Sequence, residues 1–350
     1  MSVTALLSQT DEPVQHDGRR RHGVAAERAD EEESLSVRRR KVLVPRVTDH
    51  DSSLKQGFRD AGLEIEFVGG QGAAAVVPLI GDAGFAAGYG DMNALAELAA
   101  YKPQAAPVAV FSMFNTPPFT IAVRQDSSIR RAKDLAGCSI SGHAQDAALK
   151  VFPAVADAVG LAAQAVTIAP SSLGLGIQVR DLLLSGRVEG VFGFVNTIVA
   201  AIAPLGLDPA RLRFINFSDT VPDLYSNSLM VARAFMARAP EQVRALVHGL
   251  NRGLVDTLAD LDAGIDAVAR AAPSINRAVQ LKRLLGTLHA EIANPEGARL
   301  GIGDVDDLRL ERGISLLART CRWPRVPLAS EVFTRAFLPP LEDRVRTLAR

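Results

Sequence analysis

Short apolar runs recur along the chain and alternate with stretches of helical period. Lys41-Val42-Leu43-Val44 reads as a strand, residues 53–61 as a short helix ended by Gly62, and residues 63–68 as a strand of alternating polarity. Gly69-Gly70-Gln71-Gly72 follows, and residues 73–81 are predicted helical. Further strands are expected at 85–89, 108–111, 119–123, 138–142, 166–168, 190–194, 212–217 and 228–231, with helices at 91–100, 143–159 and 176–185. In the second of these helices Ala147, Ala148, Val151, Val155 and Val159 fall on one stripe. From Pro240 onward the pattern turns helical: Val243, Leu246, Val247, Leu250, Leu254 and Leu258 form an apolar face, and helices are expected at about 262–271, 275–292, 304–320 and 330–337.

Strands that alternate with short helices build a parallel sheet covered on both faces. The alternation occurs twice, with extended segments between, so the fold class is α/β with two lobes. The expected division is a charged tail at 1–40, the first part of lobe I at 41–120, lobe II at 121–222, and the rest of lobe I with C-terminal helices at 223–350. Ligands of such sheets sit at the carboxyl ends of the strands, beside helix N-termini. The loops after the strands are therefore the candidate site.

Composition narrows the function. At 350 residues, 48% hydrophobic and 22% charged, the chain reads as an ordinary globular protein with ample material for two cores. Lys+Arg and Asp+Glu are equal at 39 each, and aromatics are only 5%, which speaks against a nucleic-acid partner. Cys138 and Cys321 have no metal-ligand spacing around them and read as separate buried thiols. Before residue 41, Arg19-Arg20-Arg21, Glu31-Glu32-Glu33 and Arg38-Arg39-Arg40 give a charged stretch with little to bury, expected to be disordered. It shows no secretory pattern of basic, apolar and small-residue segments.

Several segments carry a family likeness: Ala61-Gly62-Leu63-Glu64-Ile65 before the Gly70-Gln71-Gly72 turn, Gly88-Tyr89-Gly90-Asp91, residues 129–137 (IRRAKDLAG), residues 184–191 (LSGRVEGV), and Tyr225-Ser226-Asn227-Ser228-Leu229-Met230-Val231. In this order the chain resembles the substrate-binding proteins of nitrate, sulfonate, taurine and thiamine-pyrimidine ABC importers, most closely the thiamine-pyrimidine branch, over about residues 60 to 340. The resemblance implies a type II periplasmic-binding-protein fold and a small-molecule cleft closed by a hinge. It also implies permease and ATPase subunits as partners, a monomer, no cofactor, and a periplasmic location. A cytoplasmic location is the alternative, given the missing secretory pattern.

Candidate ligand-binding residues follow from the loops. Gln71 and Gly72 would let a ligand approach backbone N–H groups at a helix start, or simply form a strand-to-helix turn. Asp91 could accept from a ligand N–H or cap the next helix. Ser141 and His143 open the first helix expected in lobe II, which suits an anion, unless Ser141 only caps and His143 lies on the surface. Phe194 and Asn196 could hold a planar heterocycle or be a core phenylalanine and a turn asparagine. Asn115 and Thr116 sit at the outgoing crossing and Tyr225 and Asn227 at the return, serving hinge, ligand or both. Asp304, Asp306 and Asp307 lack the spacing of a calcium loop and read as a solvated helix start. Neither a Gly-x-Ser-x-Gly elbow nor a His or Cys metal spacing occurs. The expected function is a solute-binding protein for a small heterocycle, with an organic anion as second choice. An enzyme on the same fold, of desulfinase, decarboxylase or pyrimidine-synthase type, is the rival.

Overall fold

Strands whose five residues are all buried, such as Val108–Ser112 and Gly190–Phe194, mark sheets covered on both faces. The computed structural model describes residues 39–44, 63–69, 72–81, 85–271 and 275–348. The charged stretch before residue 39, the helix expected at 53–61, and Gln71 lie outside the described residues.

Among the described residues, ten strands form two five-stranded sheets. They are β1 (Arg39–Val44), β2 (Glu64–Gly69), β3 (Phe85–Asp91), β4 (Val108–Ser112), β5 (Phe119–Arg124), β6 (Ser139–Gly142), β7 (Thr167–Pro170), β8 (Gly190–Phe194), β9 (Leu212–Asn216) and β10 (Asn227–Val231). The orders are β2-β1-β3-β10-β4 and β7-β6-β8-β5-β9. The chain leaves the first sheet after Ser112, runs through residues 113–118 into the second, and returns through residues 217–226. In each sheet one strand opposes its neighbours: β10 is antiparallel to β3 and β4, and β5 to β8 and β9. This is the two-lobed α/β architecture expected from the sequence, with a mixed sheet in each lobe.

The first core joins β3, β4 and β10 to the C-terminal helices and contains Tyr89, Phe111, Leu254, Leu284 and Ile314. The second sheet has a cluster on each face, one around Phe119, Phe152 and Phe192, the other around Val179, Val191 and Ile198.

The helices depart from the sequence pattern at their ends. The one expected from His143 begins four residues later, as Ala147–Ala158, because Asp146 accepts from the Ala148 N–H at 2.7 Å and fixes the start there. Val195–Ile202, not expected as a helix, follows β8 directly. Arg277–Thr287 continues into a π-helical turn, Leu288–Ile292. Residues 333–337 are not helical: Phe333 instead bridges to Ala109 beside β4. Asp306 caps Asp307–Thr320 as a helix start should, but Asp304 is buried rather than solvated, between Arg335 (3.1 Å) and Arg344 (2.9 Å).

Candidate functional site

The topology gathers the carboxyl ends of β3, β4, β6, β7, β8 and β9, with the amino ends of β5 and β10, onto facing edges of the two sheets. Every candidate residue among the described ones lies at or beside these edges. Their side chains do different things there.

Gly72 takes φ +115, a backbone region favouring glycine, and precedes the short helix Ala73–Val76. A methyl group on it would lie 3.8 Å from the Gln145 carbonyl oxygen, so the lobes approach closely here. Asp91 is fully buried and caps Met92–Tyr101, accepting from the Ala94 N–H at 2.9 Å. Its other oxygen accepts from Asn93 Nδ2 (3.2 Å) and Ser226 Oγ (3.4 Å), and Asn93 also donates to the Tyr225 carbonyl at 2.7 Å. Burial pushes the Asp91 carboxyl up to about 6 despite these donors.

Ser141 does not cap a helix. It lies in β6 and donates to Gln178 Oε1 at 2.7 Å, while Gln178 Nε2 donates to the Leu173 carbonyl. His143 is exposed, and its Nδ1 accepts from the Gln145 N–H within a turn. Phe194 packs at a ring distance of 5.4 Å from Phe119. Asn196 belongs to the helix Val195–Ile202, not to a turn.

The two crossings are tied to each other by residues that sequence reasoning did not single out. Tyr225 donates its hydroxyl to Glu296 Oε1 at 2.6 Å, and Asn115 Nδ2 donates to the same oxygen at 3.2 Å. Arg309 lies 4.1 Å above the Tyr225 ring, pairs with Glu296 Oε2 at 3.2 Å, and donates to the carbonyls of both Asn115 and Leu224. One guanidinium therefore holds a carbonyl from each crossing. Glu291, on the π-helical turn, accepts from Asn196 Nδ2 at 2.8 Å, and its backbone carbonyl accepts from the Thr116 N–H at 3.0 Å. It is buried, and its carboxyl is pushed up to about 7 by burial, against the Asn196 hydrogen bond, the nearby Arg283 and a hydrogen bond from Thr287. Burial first, and Glu291 second, raise the Tyr89 hydroxyl well above its ordinary value.

Several buried polar atoms at these edges have no hydrogen-bond partner among the described residues: the Tyr89 hydroxyl, Ser112 Oγ, Asn115 Oδ1, Thr120 Oγ1, Asn216 Oδ1 and Asn227 Nδ2. Thr120 and Asn216 face each other across β5 and β9, and Asn227 opposes Asp91 across β10 and β3. Among the described residues no group of His, Cys, Asp and Glu could hold a metal ion, and no helix is long and apolar enough to cross a membrane.

The two raised carboxyls give a pH prediction. Each takes up a proton at higher pH in the folded chain than in the unfolded one, where values near 3.8 and 4.5 apply. Unfolding therefore releases protons between those values and about 6 to 7, and stability falls as pH rises through that window. Urea midpoints are expected to drop from pH 5 to pH 7.5, and the drop to be smaller in Asp91→Asn and Glu291→Gln. An unchanged slope in both variants would contradict the assignment.

The chain matches the NMT1/THI5-like family over residues 55–263. It belongs to that family. No curated protein matches it. Solved structures share the fold at low identity. The alkanesulfonate-binding protein SsuA from Xanthomonas axonopodis pv. citri, solved bound to MOPS, superposes with a TM-score of 0.61 at 16% identity, covering 85% of this chain and 98% of its own. The periplasmic aliphatic sulphonate-binding protein SsuA from Escherichia coli gives 0.60 at 12% identity, covering 84% and 91%. The desulfurization enzyme DSZB gives 0.54 at 15%, covering 87% and 98%. The fold of this NMT1/THI5-like chain is thus that of the periplasmic binding proteins, a scaffold that also carries an enzyme.

Proposed function

We propose that this protein is the solute-binding component of an ABC importer and captures a small nitrogen heterocycle between its two lobes. The observation that carries the reading is the set of unpartnered buried polar atoms on the facing sheet edges. Leaving a buried polar group unpaired costs about 1–3 kcal/mol, so a protein does not gather six such groups without a compensating partner. A ligand with both donors and acceptors, placed between the sheets, would satisfy them.

The charges favour a neutral or cationic ligand over a sulfonate. At neutral pH the ionised Asp91 at the seam would repel an anion, and the buried cations there are already engaged: Arg309 with Glu296 and two carbonyls, Arg283 with Thr197 Oγ1 at 2.8 Å. A pyrimidine of the thiamine-precursor type fits that balance. Asp91, Asn115, Asn227, Phe194 and the Gly72 turn are the residues assigned to the ligand, while Tyr225 is assigned to the hinge. Closure would present a joined lobe surface to the permease, in the periplasm. The enzyme reading is disfavoured by the cysteines. Cys138 precedes β6 at the sheet edge away from the seam, and burial raises the thiols of both Cys138 and Cys321, the reverse of an activated nucleophile.

The test is a thermal-shift series with 4-amino-5-hydroxymethyl-2-methylpyrimidine, taurine and an alkanesulfonate on the wild type and Asn227→Ala. The pyrimidine is expected to raise Tm by mass action. Asn227→Ala should weaken its binding about tenfold, ~1.4 kcal/mol, with a smaller loss of ligand-free Tm, because Asn227 Nδ2 is unpaired in the free protein and Oδ1 accepts only from Ser226 Oγ at 3.4 Å. A shift by the sulfonates alone would transfer the assignment to organic anions.

A further inference from the structure

Asp91, Asn115 and Asn227 offer a ligand polar groups from lobe I and its outgoing crossing, and capture between two lobes needs such groups from lobe II as well. Most of the polar side chains that lobe II brings to the seam are already engaged. Ser141 donates to Gln178, Asn196 donates to Glu291, and Thr197 accepts from Arg283. Two buried oxygens there have no partner among the described residues, Thr120 Oγ1 and Asn216 Oδ1. Thr120 is the second residue of β5 and Asn216 the last of β9, so both lie at the end of the sheet that meets the seam. They are direct partners across this antiparallel pair of strands, which sets their Cβ atoms about 4.5–5.5 Å apart on one face.

Packing does not call for a hydroxyl at position 120. Its neighbours along β5, Phe119, Ile121, Ala122 and Val123, are buried and apolar, and Thr120 is itself wholly buried. Valine would fill the same space without burying an unpaired polar atom. We propose that Thr120 and Asn216 are the specificity pair of lobe II and read the amino edge of a heterocycle, a ring nitrogen with an NH2 group on the adjacent carbon. An amide oxygen only accepts, whereas a hydroxyl both accepts and donates and can turn to suit its partner. Asn216 Oδ1 takes one amino N–H. The Thr120 hydroxyl takes the other and gives its own proton to the ring nitrogen, so two side chains match three positions of the ligand. Neither oxygen is charged, which suits a neutral amino group; an ammonium ion buried there would call for a carboxylate in the pair. The assignment rests on capture of a heterocycle between the lobes and adds which edge of the ring is recognised.

The test is isothermal titration of the full chain with 4-amino-5-hydroxymethyl-2-methylpyrimidine and with 5-hydroxymethyl-2-methylpyrimidine, which lacks the amino group. The wild type is expected to bind the amino compound about tenfold more tightly, the order that one or two hydrogen bonds supply. Thr120→Val and Asn216→Leu should each cut that preference to about threefold, and the double variant should bind the two compounds alike. Thr120→Ser, which keeps the hydroxyl, should keep the preference. The ligand-free Tm of Thr120→Val should equal or exceed that of the wild type, because a methyl group replaces an unpaired hydroxyl. A fall in that Tm would mean that the hydroxyl is bonded within the protein, and it overturns the assignment whatever the ligand. Equal binding of both compounds by the wild type, or a preference that survives in the double variant, overturns it while leaving capture of a heterocycle intact. Binding of neither compound removes the heterocycle and the role of the pair together.

Discussion

Arg309→Ala is expected to destabilise the protein by about 3–5 kcal/mol, the range found when one partner of a buried ion pair is removed. The loss is threefold. Glu296, whose side chain is 11% exposed, is left charged without its cation. The carbonyls of Asn115 and Leu224 lose a charge-assisted donor, and the Tyr225 ring loses the cation stacked on it. Arg309→Lys should recover only part of this, because a lysine ammonium cannot reach two carbonyls, a carboxylate and a ring face together. Because this group joins both crossings, beside the backbone bonds that Met113 and Phe114 make with Ser226 and Asn227, the two lobes should also melt less cooperatively. Urea unfolding followed by two probes, near-UV absorbance dominated by Trp323 and far-UV circular dichroism, reads both effects. Coincident transitions with a loss under 1 kcal/mol would remove Arg309 from the hinge.

The second large effect is expected at Asp304. Its carboxylate takes Arg335 and Arg344 on its two oxygens and also accepts from the Val305 N–H at 2.9 Å. Asp304→Ala strands Arg344, a side chain only 12% exposed, and should cost about 3–5 kcal/mol. Asp304→Asn, which keeps the shape and one acceptor, should cost less. Arg344 also donates to the Leu300 and Pro339 carbonyls, so the lost carboxylate loosens the segment leading into Asp307–Thr320, the helix that carries Arg309. The two variants share that route and should not be additive. Denaturation of both single variants and the double variant checks this. Additivity within about 0.5 kcal/mol would separate the two networks.

These two residues also mark what the sequence could and could not reveal. The strands were legible because each is a short run of Val, Ile, Phe or Ala bounded by turn residues, and all ten expected runs pair in sheets. The position of the candidate residues at strand ends was legible for the same reason, since the carboxyl-end rule needs only strand order. Asp146 outcompeting Ser141 as a cap was hidden, because both residues suit the role and only the local backbone decides. Asp304 looked like one more acid at a helix start, and its burial comes from Arg335 and Arg344, far along the chain. Glu291, Glu296 and Arg309 lie in the helical C-terminal part, where their spacing is that of any amphipathic surface. A faint signal did exist: Glu291 sits among Leu288 and Ile292 on the apolar side of the pattern, where a carboxylate is out of place unless something receives it.

Capture of a small nitrogen heterocycle between the lobes is expected to be reversible. Isothermal titration of the full chain with 4-amino-5-hydroxymethyl-2-methylpyrimidine, followed by chromatography of the released ligand, tests it most directly. Saturable binding near one ligand per chain, a negative heat-capacity change from closure, and recovery of the ligand chemically unchanged are expected. Absence of saturable binding, or recovery of a converted product, would contradict it.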